Sequence, residues 1–409
     1  MVALDINYVR NQFPAFRAPA LREQAFFENA GGSYPCRYVI WRLNRFYTER
    51  KVQPFGPYDA SARAGQEMDE ARIRLSAHLG VAREELHFGP STTANTFVLA
   101  QAFRRWLRPG EVVVVTNQDH EANSGPWRRL AEDGIEIREW RVDPETGHLD
   151  PKELERLLDG KVRLVCFPHC SNIVGEINDV PAISAKVRAA GAYSCVDGVS
   201  LVPHGYPDIG RLGADIYLFS AYKTFGPHQG LMTIRHELAV KLPAQGHGFN
   251  ADDPTKRFTP AGPDHAQVAA CAGMADYIDA IYGHHFQAGR DALGRTGKLR
   301  DLIRTREVGL LGRLVRYLAD RPDLRVLGRL AADERRAPTI AIALEEPGAA
   351  AAARLAQHGV MAGGGDFYAP RLLQAMGVNP RRGVLRLSFL HYTTGAELDR
   401  LIDALDTEL

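Results

Sequence analysis

The chain has 409 residues, of which 45% are hydrophobic and 24% are charged, an ordinary composition for a globular protein. Lys and Arg number 50 and Asp and Glu number 49, and the net charge of +1 gives no excess that would attract nucleic acid or an anionic membrane. No apolar run approaches the roughly 18 residues of a membrane span, and no secretory signal is visible. The five cysteines are few and odd in number, so we expect no disulfide framework and a cytoplasmic protein.

Helical and strand patterns alternate from about residue 60 to residue 235. Apolar residues at helical spacing predict a helix over 59–79, and further helices are predicted at 91–105, 123–133, 151–158 and 180–190. Short apolar runs predict strands at 86–88, 112–115, 135–142, 162–167, 192–196, 215–219 and 231–234. Continuous apolar strands separated by helices predict a mostly parallel sheet with helices on both faces.

A second, smaller α/β domain is predicted at the C-terminal end of the chain. A long helix over about 266–282 leads to it. Its predicted helices and strands are at 301–318, 339–344, 349–357, 384–389 and 395–405. We therefore predict a large domain over residues 21–265 and a small domain formed by residues 1–20 and 283–409.

Polar segments follow several predicted strands, where open parallel sheets bind ligands. Ser91, Thr92 and Thr93 come between a strand and a helix, and hydroxyls with free N–H groups at a helix N-terminus can hold a phosphate. Taken alone, these three residues also fit an ordinary helix cap.

Four more side chains follow predicted strands. His120 can stack on a planar ring or exchange protons, and Asn172 can bond a phenolic oxygen. Asp197 can hold the protonated nitrogen of a pyridine ring. Lys223 stands in a turn rich in Gly, Pro and aromatic residues, and a lysine kept out of bulk water can lose its proton and form a Schiff base. Each residue alone also fits a structural role, whereas their joint occurrence in this order is specific.

This order resembles that of pyridoxal phosphate (PLP) enzymes of fold type I. Within them the chain resembles the class V aminotransferases and, more narrowly, the cysteine desulfurase-like proteins. The resemblance covers nearly the whole chain. It is carried by Phe26-Phe27-Glu28-Asn29-Ala30, Ser91-Thr92-Thr93, Asp119-His120-Glu121-Ala122-Asn123, Pro126-Trp127, Ser171-Asn172-Ile173-Val174-Gly175, Asp197-Gly198, Ser220-Ala221-Tyr222-Lys223 and Arg386-Leu387-Ser388. It implies an α/β fold with a mostly parallel sheet of the seven-stranded type and a smaller C-terminal α/β domain.

The resemblance also implies roles for individual residues. The catalytic set is Lys223 as the Schiff-base lysine, Asp197 as the partner of the ring nitrogen and His120 as the residue stacked on the ring. The implied cofactor-binding set is Ser91, Thr92, Thr93, His120, Asn172, Asp197, Ser200, Ser220, Tyr222, Lys223 and Gly262. Arg386 matches the arginine that binds the substrate α-carboxylate, and Asn29 is the second substrate residue. No metal site is expected.

Several positions depart from the cysteine desulfurase pattern. The loop over 363–369 holds no cysteine where desulfurases carry their nucleophile, and no cysteine follows Cys271. Ser200 stands where many relatives have a glutamine, Tyr222 where they have a histidine, and Gly262 where a hydroxyl residue of the partner subunit meets the phosphate. The cofactor site is therefore largely kept, whereas the sulfur-accepting residue is absent.

The resemblance implies a PLP-dependent enzyme that acts at Cα or Cβ of an amino acid. It implies a homodimer whose sites are completed by the partner chain, with no nucleic acid or membrane partner. A desulfurase-like lyase is the favoured reading, and true cysteine desulfuration is doubted because the loop cysteine is missing. An aminotransferase, an epimerase and a non-catalytic PLP-fold binding protein are the alternatives.

Overall fold

The computed structural model describes residues 2–287 and 289–409, which form three β-sheets and the helices that cover them. The strands in chain order are β1 (Ala25–Phe26), β2 (Leu86–Gly89), β3 (Val112–Thr116), β4 (Glu136–Trp140), β5 (Val162–Pro168), β6 (Tyr193–Asp197), β7 (Ile216–Ser220), β8 (Gly230–Ile234), β9 (Arg325–Val326), β10 (Thr339–Ala343), β11 (Val360–Met361), β12 (Gly363–Gly365) and β13 (Val384–Ser388).

The α-helices vary in length from four to 28 residues. In chain order they are α1 (Ile6–Arg10), α2 (Arg37–Arg45), α3 (Asp59–Leu79), α4 (Thr92–Arg104), α5 (Gly125–Arg128), α6 (Pro151–Leu157), α7 (Val180–Ala189), α8 (Ile209–Leu212), α9 (His236–Ala239), α10 (His265–Ala270), α11 (Ala272–His285), α12 (Ala292–Ala319), α13 (Gly348–Gln357), α14 (Pro370–Ala375) and α15 (Gly395–Glu408). None of the helices described here is long and apolar enough to cross a membrane.

The largest sheet has seven strands in the order β2-β8-β7-β6-β5-β3-β4. Strands β3 to β7 pair in parallel, and β8 pairs antiparallel with β2 and β7. The predicted mostly parallel sheet is thereby confirmed. Along β3, Val112 and Val114 join the core on one face while Val113 and Val115 join the core on the other, because successive side chains point to opposite faces. This double burial explains the continuous apolar run in the sequence.

The topology of the large sheet creates a crevice at its carboxyl edge. The chain leaves β3 for β4 on one side and then returns to β5 on the other side of β3. Ligands bind outside the carboxyl ends of parallel strands where the direction of the connections reverses in this way. The segments after β3, β5, β6 and β7 therefore lie together.

The C-terminal elements form a smaller α/β layer. Its antiparallel sheet has the order β12-β13-β10-β9, and α12, α13 and α15 contribute to its apolar core. The N-terminal chain joins this part through parallel pairing of β1 with β11. Phe13 makes edge contacts with Phe225, Tyr277 and Tyr392. The domain limits at residues 20, 265 and 283 stay a prediction, and residues 1 and 288 lie outside the described chain.

Several elements differ from those expected from the sequence. The helix predicted over 123–133 is the short helix α5 (Gly125–Arg128), flanked by the 3-10 turns Glu121–Asn123 and Arg129–Asp133. Residues 266–282 form two helices, α10 and α11, that meet at Cys271. Helix α12 begins at Ala292 instead of near residue 301, because Asp291 caps it by accepting a hydrogen bond from Gly294 N at 2.8 Å. Strand β12 was not predicted, because it consists of three glycines and glycine has a poor strand propensity.

Candidate active site

A pocket lies at the carboxyl edge of the large sheet. Ten of the predicted cofactor residues line it: Ser91, Thr92, Thr93, His120, Asn172, Asp197, Ser200, Ser220, Tyr222 and Lys223. A second, more open pocket shares seven of its lining residues, including His120 and Lys223, and adds Arg386. We call these the inner pocket and the outer pocket.

The start of helix α4 forms one end of the inner pocket. Ser91 caps the helix, and its Oγ accepts a hydrogen bond from Ala94 N at 3.1 Å. The Thr92 hydroxyl lies 2.8 Å from the Ser220 hydroxyl at the end of β7. A Cβ atom at Gly230 in β8 would overlap the backbone of Ser91, so this glycine lets the helix start lie against the sheet. Unpaired N–H groups of a first helical turn together with two hydroxyls suit an anion such as a phosphate.

Asp197 is the last residue of β6 and is buried. Its Oδ1 accepts a hydrogen bond from Val199 N at 2.8 Å. Burial raises the pKa of the carboxyl group to about 6, although the bond from Val199 and the charge of Lys223 both favour ionisation. A cation placed beside Asp197, such as a protonated ring nitrogen, would restore its charge.

Lys223 ends the short 3-10 turn Ala221–Lys223 that follows β7. The side chain is buried at the junction of the two pockets. Burial, and next the nearby Arg386 charge, lower the pKa of the ammonium group to about 8, while Asp197 and Glu28 act in the opposite direction. Near neutral pH, Lys223 is therefore an uncharged amine more often than an ordinary lysine is, and this is the form that serves as nucleophile or base.

His120 follows β3 and presents an uncharged ring to both pockets. Its Nδ1 accepts a hydrogen bond from Ala122 N at 3.0 Å, which assigns the ring hydrogen to Nε2. Burial, followed by the charges of Lys223 and Arg386, lowers the pKa of the imidazole to about 3. An uncharged, planar imidazole is suited to stacking on a flat ligand, whereas acid catalysis would need the protonated form.

Asn172 connects the inner pocket to the small domain. Its Nδ2 donates to the backbone oxygen of Phe367 at 2.9 Å. Its Oδ1 is buried and accepts no hydrogen bond from any described residue. A buried acceptor without a partner is costly, so a ligand hydroxyl at this place would satisfy it.

Arg386 in β13 is buried, and its guanidinium group contacts residues from three other segments of the chain. Its Nη2 donates to Glu28 Oε1 at 2.6 Å, and its Nη1 donates to the backbone oxygen of Asn172 at 3.3 Å. The guanidinium carbon lies 3.7 Å from the centre of the Phe367 ring. Glu28 and Phe367 were not predicted as site residues. Glu28 stands inside a segment that carried the resemblance, and Phe367 lies in the loop over 363–369 that was compared with the desulfurase loop.

The loop between β12 and α14 covers the outer pocket. Phe367 and Tyr368 have φ values of +50° and +57°, a left-handed conformation that non-glycine residues rarely adopt. The Tyr368 carbonyl oxygen accepts a hydrogen bond from Glu121 N at 2.7 Å. The Tyr368 ring is exposed, and its centre lies 5.2 Å from that of His120. The predicted loop over 363–369 therefore does reach the site.

Two predicted site residues do not line either pocket. Asn29 is buried, its Nδ2 donates to the backbone oxygens of Phe26 and Ser388, and its Oδ1 accepts from Tyr392. Gly262 is exposed. Its expected place is in the site of a partner subunit, and this stays a prediction.

Five further residues, which were not predicted as site residues, line the inner pocket: Gln118, Ala122, Pro168, Cys170 and Val199. They adjoin predicted residues, so proximity to the strand ends was the available signal. All five cysteines are free and buried. Burial raises the pKa of the Cys170 thiol to about 12, which keeps it protonated at neutral pH.

Comparison with known proteins places these features in context. The family model described as aminotransferase class V matches residues 25–401. An aminotransferase-like protein of Gibberella zeae is 32% identical, with 100% of this chain and 99% of the relative covered. A cysteine desulfurase of Serratia proteamaculans is 28% identical, with 99% and 98% covered.

Solved structures share the fold. A cysteine desulfurase from Thermococcus onnurineus NA1 matches with a TM-score of 0.85 at 22% identity, covering 100% of this chain and 98% of that chain. The cysteine desulfurase CsdA from Escherichia coli matches with a TM-score of 0.82 at 22% identity, covering 99% and 98%. The expected fold type is thereby confirmed.

Proposed function

This chain belongs to the class V aminotransferase family, and on that premise we propose that it acts at Cα or Cβ of an amino acid through Lys223. Enzymes of this family depend on pyridoxal phosphate, which is the cofactor of this chain. One observation carries the proposal. The buried Lys223 amine shares a pocket with Asp197, His120 and the start of helix α4.

The residues of the inner pocket fit this cofactor. Thr92 and Thr93 at the start of helix α4 and Ser220 at the end of β7 would hold its phosphate. The unpartnered Oδ1 of Asn172 would accept a hydrogen bond from its ring hydroxyl. When bound, pyridoxal phosphate supplies a ring that withdraws electrons from the bonds at Cα.

The protein side chains would supply the remaining chemistry. Asp197 would keep the ring nitrogen protonated, and the neutral face of His120 would pack on the ring. Lys223 would move a proton at Cα, for which its lowered pKa suits it. Arg386 would bind the α-carboxylate through two parallel hydrogen bonds.

We favour a lyase reaction over transamination. The name of the Gibberella zeae relative supports an aminotransferase as second candidate. To separate them, the protein is incubated with each of the twenty L-amino acids, with and without a 2-oxo acid. A lyase releases a fragment of the amino acid without the 2-oxo acid, whereas a transaminase turns over only with it. Appearance of the D-amino acid alone would support an epimerase.

We further propose a cytoplasmic homodimer. The free cysteines suit a reducing compartment. Four large apolar side chains between residues 41 and 58 are more than half exposed, which is typical of a surface covered by another chain: Trp41, Tyr47, Phe55 and Tyr58. Sedimentation of the purified protein at twice the mass of one chain would support the dimer, and a monomer would contradict it.

Free cysteine is expected to release sulfur only in a slow side reaction. Desulfuration needs a thiolate that attacks the substrate sulfur and carries it away. Cys170 is the cysteine that lines the inner pocket, and its thiol is held protonated. Alanine and sulfide are quantified after adding cysteine and a reducing thiol to wild type and to each single Cys→Ala variant. Rapid alanine release that one variant, Cys170→Ala above all, abolishes would restore the desulfurase assignment.

Arg386→Ala is expected to weaken amino acid binding by about 2–5 kcal/mol, the cost of truncating one partner of a buried charge pair. The affinity is measured from the change in cofactor absorbance as the amino acid is added. Arg381→Ala is the control, because Arg381 is an exposed arginine outside both pockets. Unchanged affinity in Arg386→Ala would remove this residue from the substrate site.

A further inference from the structure

The guanidinium group of Arg386 is held by groups from three separate segments. Glu28, two residues after β1, accepts from Nη2, and the Asn172 backbone oxygen accepts from Nη1. The Phe367 ring covers one face. Two of the five N–H groups of the arginine are thus used, and three are left for a ligand. Arg386 lines the outer pocket, whereas Glu28 does not. The carboxylate therefore contacts the arginine from outside the ligand space.

Two glycines make the space that Glu28 occupies. A Cβ atom at Gly31 would lie 2.6 Å from Glu28 Oε1, and one at Gly363 in β12 would overlap Glu28 Oε2. Neither glycine has the positive φ that would by itself exclude a side chain. The missing side chains at these two positions therefore serve the carboxylate of Glu28. The backbone of Glu28 is fixed as well, because it pairs with Ser388, the last residue of β13.

We propose that Glu28 is the positioning residue for Arg386, fixing its guanidinium so that the free N–H groups meet the α-carboxylate of the substrate, with Gly31 and Gly363 providing the space. This inference rests on the proposed function, in which Arg386 binds that carboxylate. The contact is a single hydrogen bond, since Glu28 Oε2 and Arg386 Nε are both buried without a partner. The arginine is thus anchored without having all its donors consumed.

Glu28 also balances charge around Lys223. Arg386 is a buried cation beside the buried, titratable amine of Lys223. Arg386 favours the uncharged form of Lys223, while Glu28 favours the charged form. Without the negative charge of Glu28, the repulsion between Arg386 and protonated Lys223 would be stronger. Loss of the carboxylate should therefore shift the pH dependence of cofactor uptake by the apoprotein to lower pH, which a purely structural role would not do.

The test measures binding with and without a carboxylate. The probes are the L-amino acid, among the twenty, that changes the cofactor absorbance most and the amine obtained by removing its carboxylate. Glu28→Gln keeps the size and removes the charge, so the Kd for the amino acid should rise about tenfold or more while the Kd for the amine stays constant. Glu28→Asp, which keeps the charge on a shorter side chain, should give a smaller loss.

The glycines supply an independent test. Gly31→Ala should reproduce the loss by pushing the carboxylate away, and it should add nothing in a Glu28→Ala background. Gly32→Ala is the matched control, because its Cβ would make only an ordinary 3.7 Å contact with Tyr222. Cofactor content and thermal unfolding are measured for every variant to show that each is folded.

The outcomes separate this inference from the proposed function. If wild type and Glu28→Gln bind the amino acid equally while Arg386→Ala does not, the positioning role of Glu28 is wrong and the role of Arg386 stands. Tighter binding in Glu28→Gln would also overturn it, because Glu28 would then compete with the substrate. If none of the twenty amino acids binds to wild type better than its amine, the proposed role of Arg386 fails and the inference falls with it.

Discussion

Lys223→Ala is expected to leave a folded protein that no longer retains pyridoxal phosphate through dialysis. Lys223 is the one lysine among the residues that line the two pockets, and the covalent link to the cofactor needs an amine. Treatment of wild type with borohydride makes that link permanent, and peptide mapping should then find the label on Lys223. Absorbance near 420 nm after dialysis gives a second, simpler measurement.

Lys241→Ala is the matched control, because Lys241 is exposed, lies outside both pockets and donates a hydrogen bond to the Tyr193 hydroxyl. It should retain the cofactor fully. The rate of cofactor uptake by the wild-type apoprotein should rise with pH and level off above about 8, since the lowered pKa of Lys223 makes the reactive amine available there. A borohydride label on any other lysine would contradict the assignment.

The strand-end residues of the site were predictable from the sequence for a physical reason. Parallel strands carry their carboxyl ends to one edge of the sheet, so polar residues after separate strands must meet there. Asp197 ends β6, Lys223 follows β7 and His120 follows β3, and all three line one pocket. The resemblance to PLP enzymes rested on their order along the chain, together with the buried strands before them.

The contacts of Arg386 could not be predicted in this way. Glu28 and Arg386 are 358 positions apart and meet only because the small-domain sheet lies against the N-terminal segment. The space for Glu28 depends on the absent side chains of Gly31 and Gly363, and an absent side chain leaves no signal of its purpose. Asn29 shows the reverse case: it stands in a segment that carried the resemblance, yet it lines neither pocket, and its amide group bonds Phe26, Ser388 and Tyr392.

Asp197→Asn is expected to bind the cofactor and yet lose most of its ability to remove the Cα proton. An amide cannot stabilise a protonated ring nitrogen as a carboxylate does, so the ring withdraws fewer electrons from Cα. Exchange of the Cα hydrogen of an amino acid with D₂O, followed by NMR, measures this step without requiring a known overall reaction. We expect a loss of about 10²–10³-fold, the usual cost of removing one positioned electrostatic group from a reacting centre.

The burial of Asp197 makes this effect specific to the cofactor. The pKa of about 6 applies to the Asp197 carboxyl group when Val199 N and Lys223 are its stabilising neighbours. A protonated ring nitrogen beside it would stabilise the ionised carboxylate further. Asp215→Asn is the control, because Asp215 immediately precedes the start of β7, at the opposite edge of the same sheet, where it accepts hydrogen bonds from Ser194. That variant should exchange the Cα hydrogen at the wild-type rate. Near wild-type exchange in Asp197→Asn as well would show that Asp197 serves only to accept the hydrogen bond from Val199, and the proposed electronic role would be wrong.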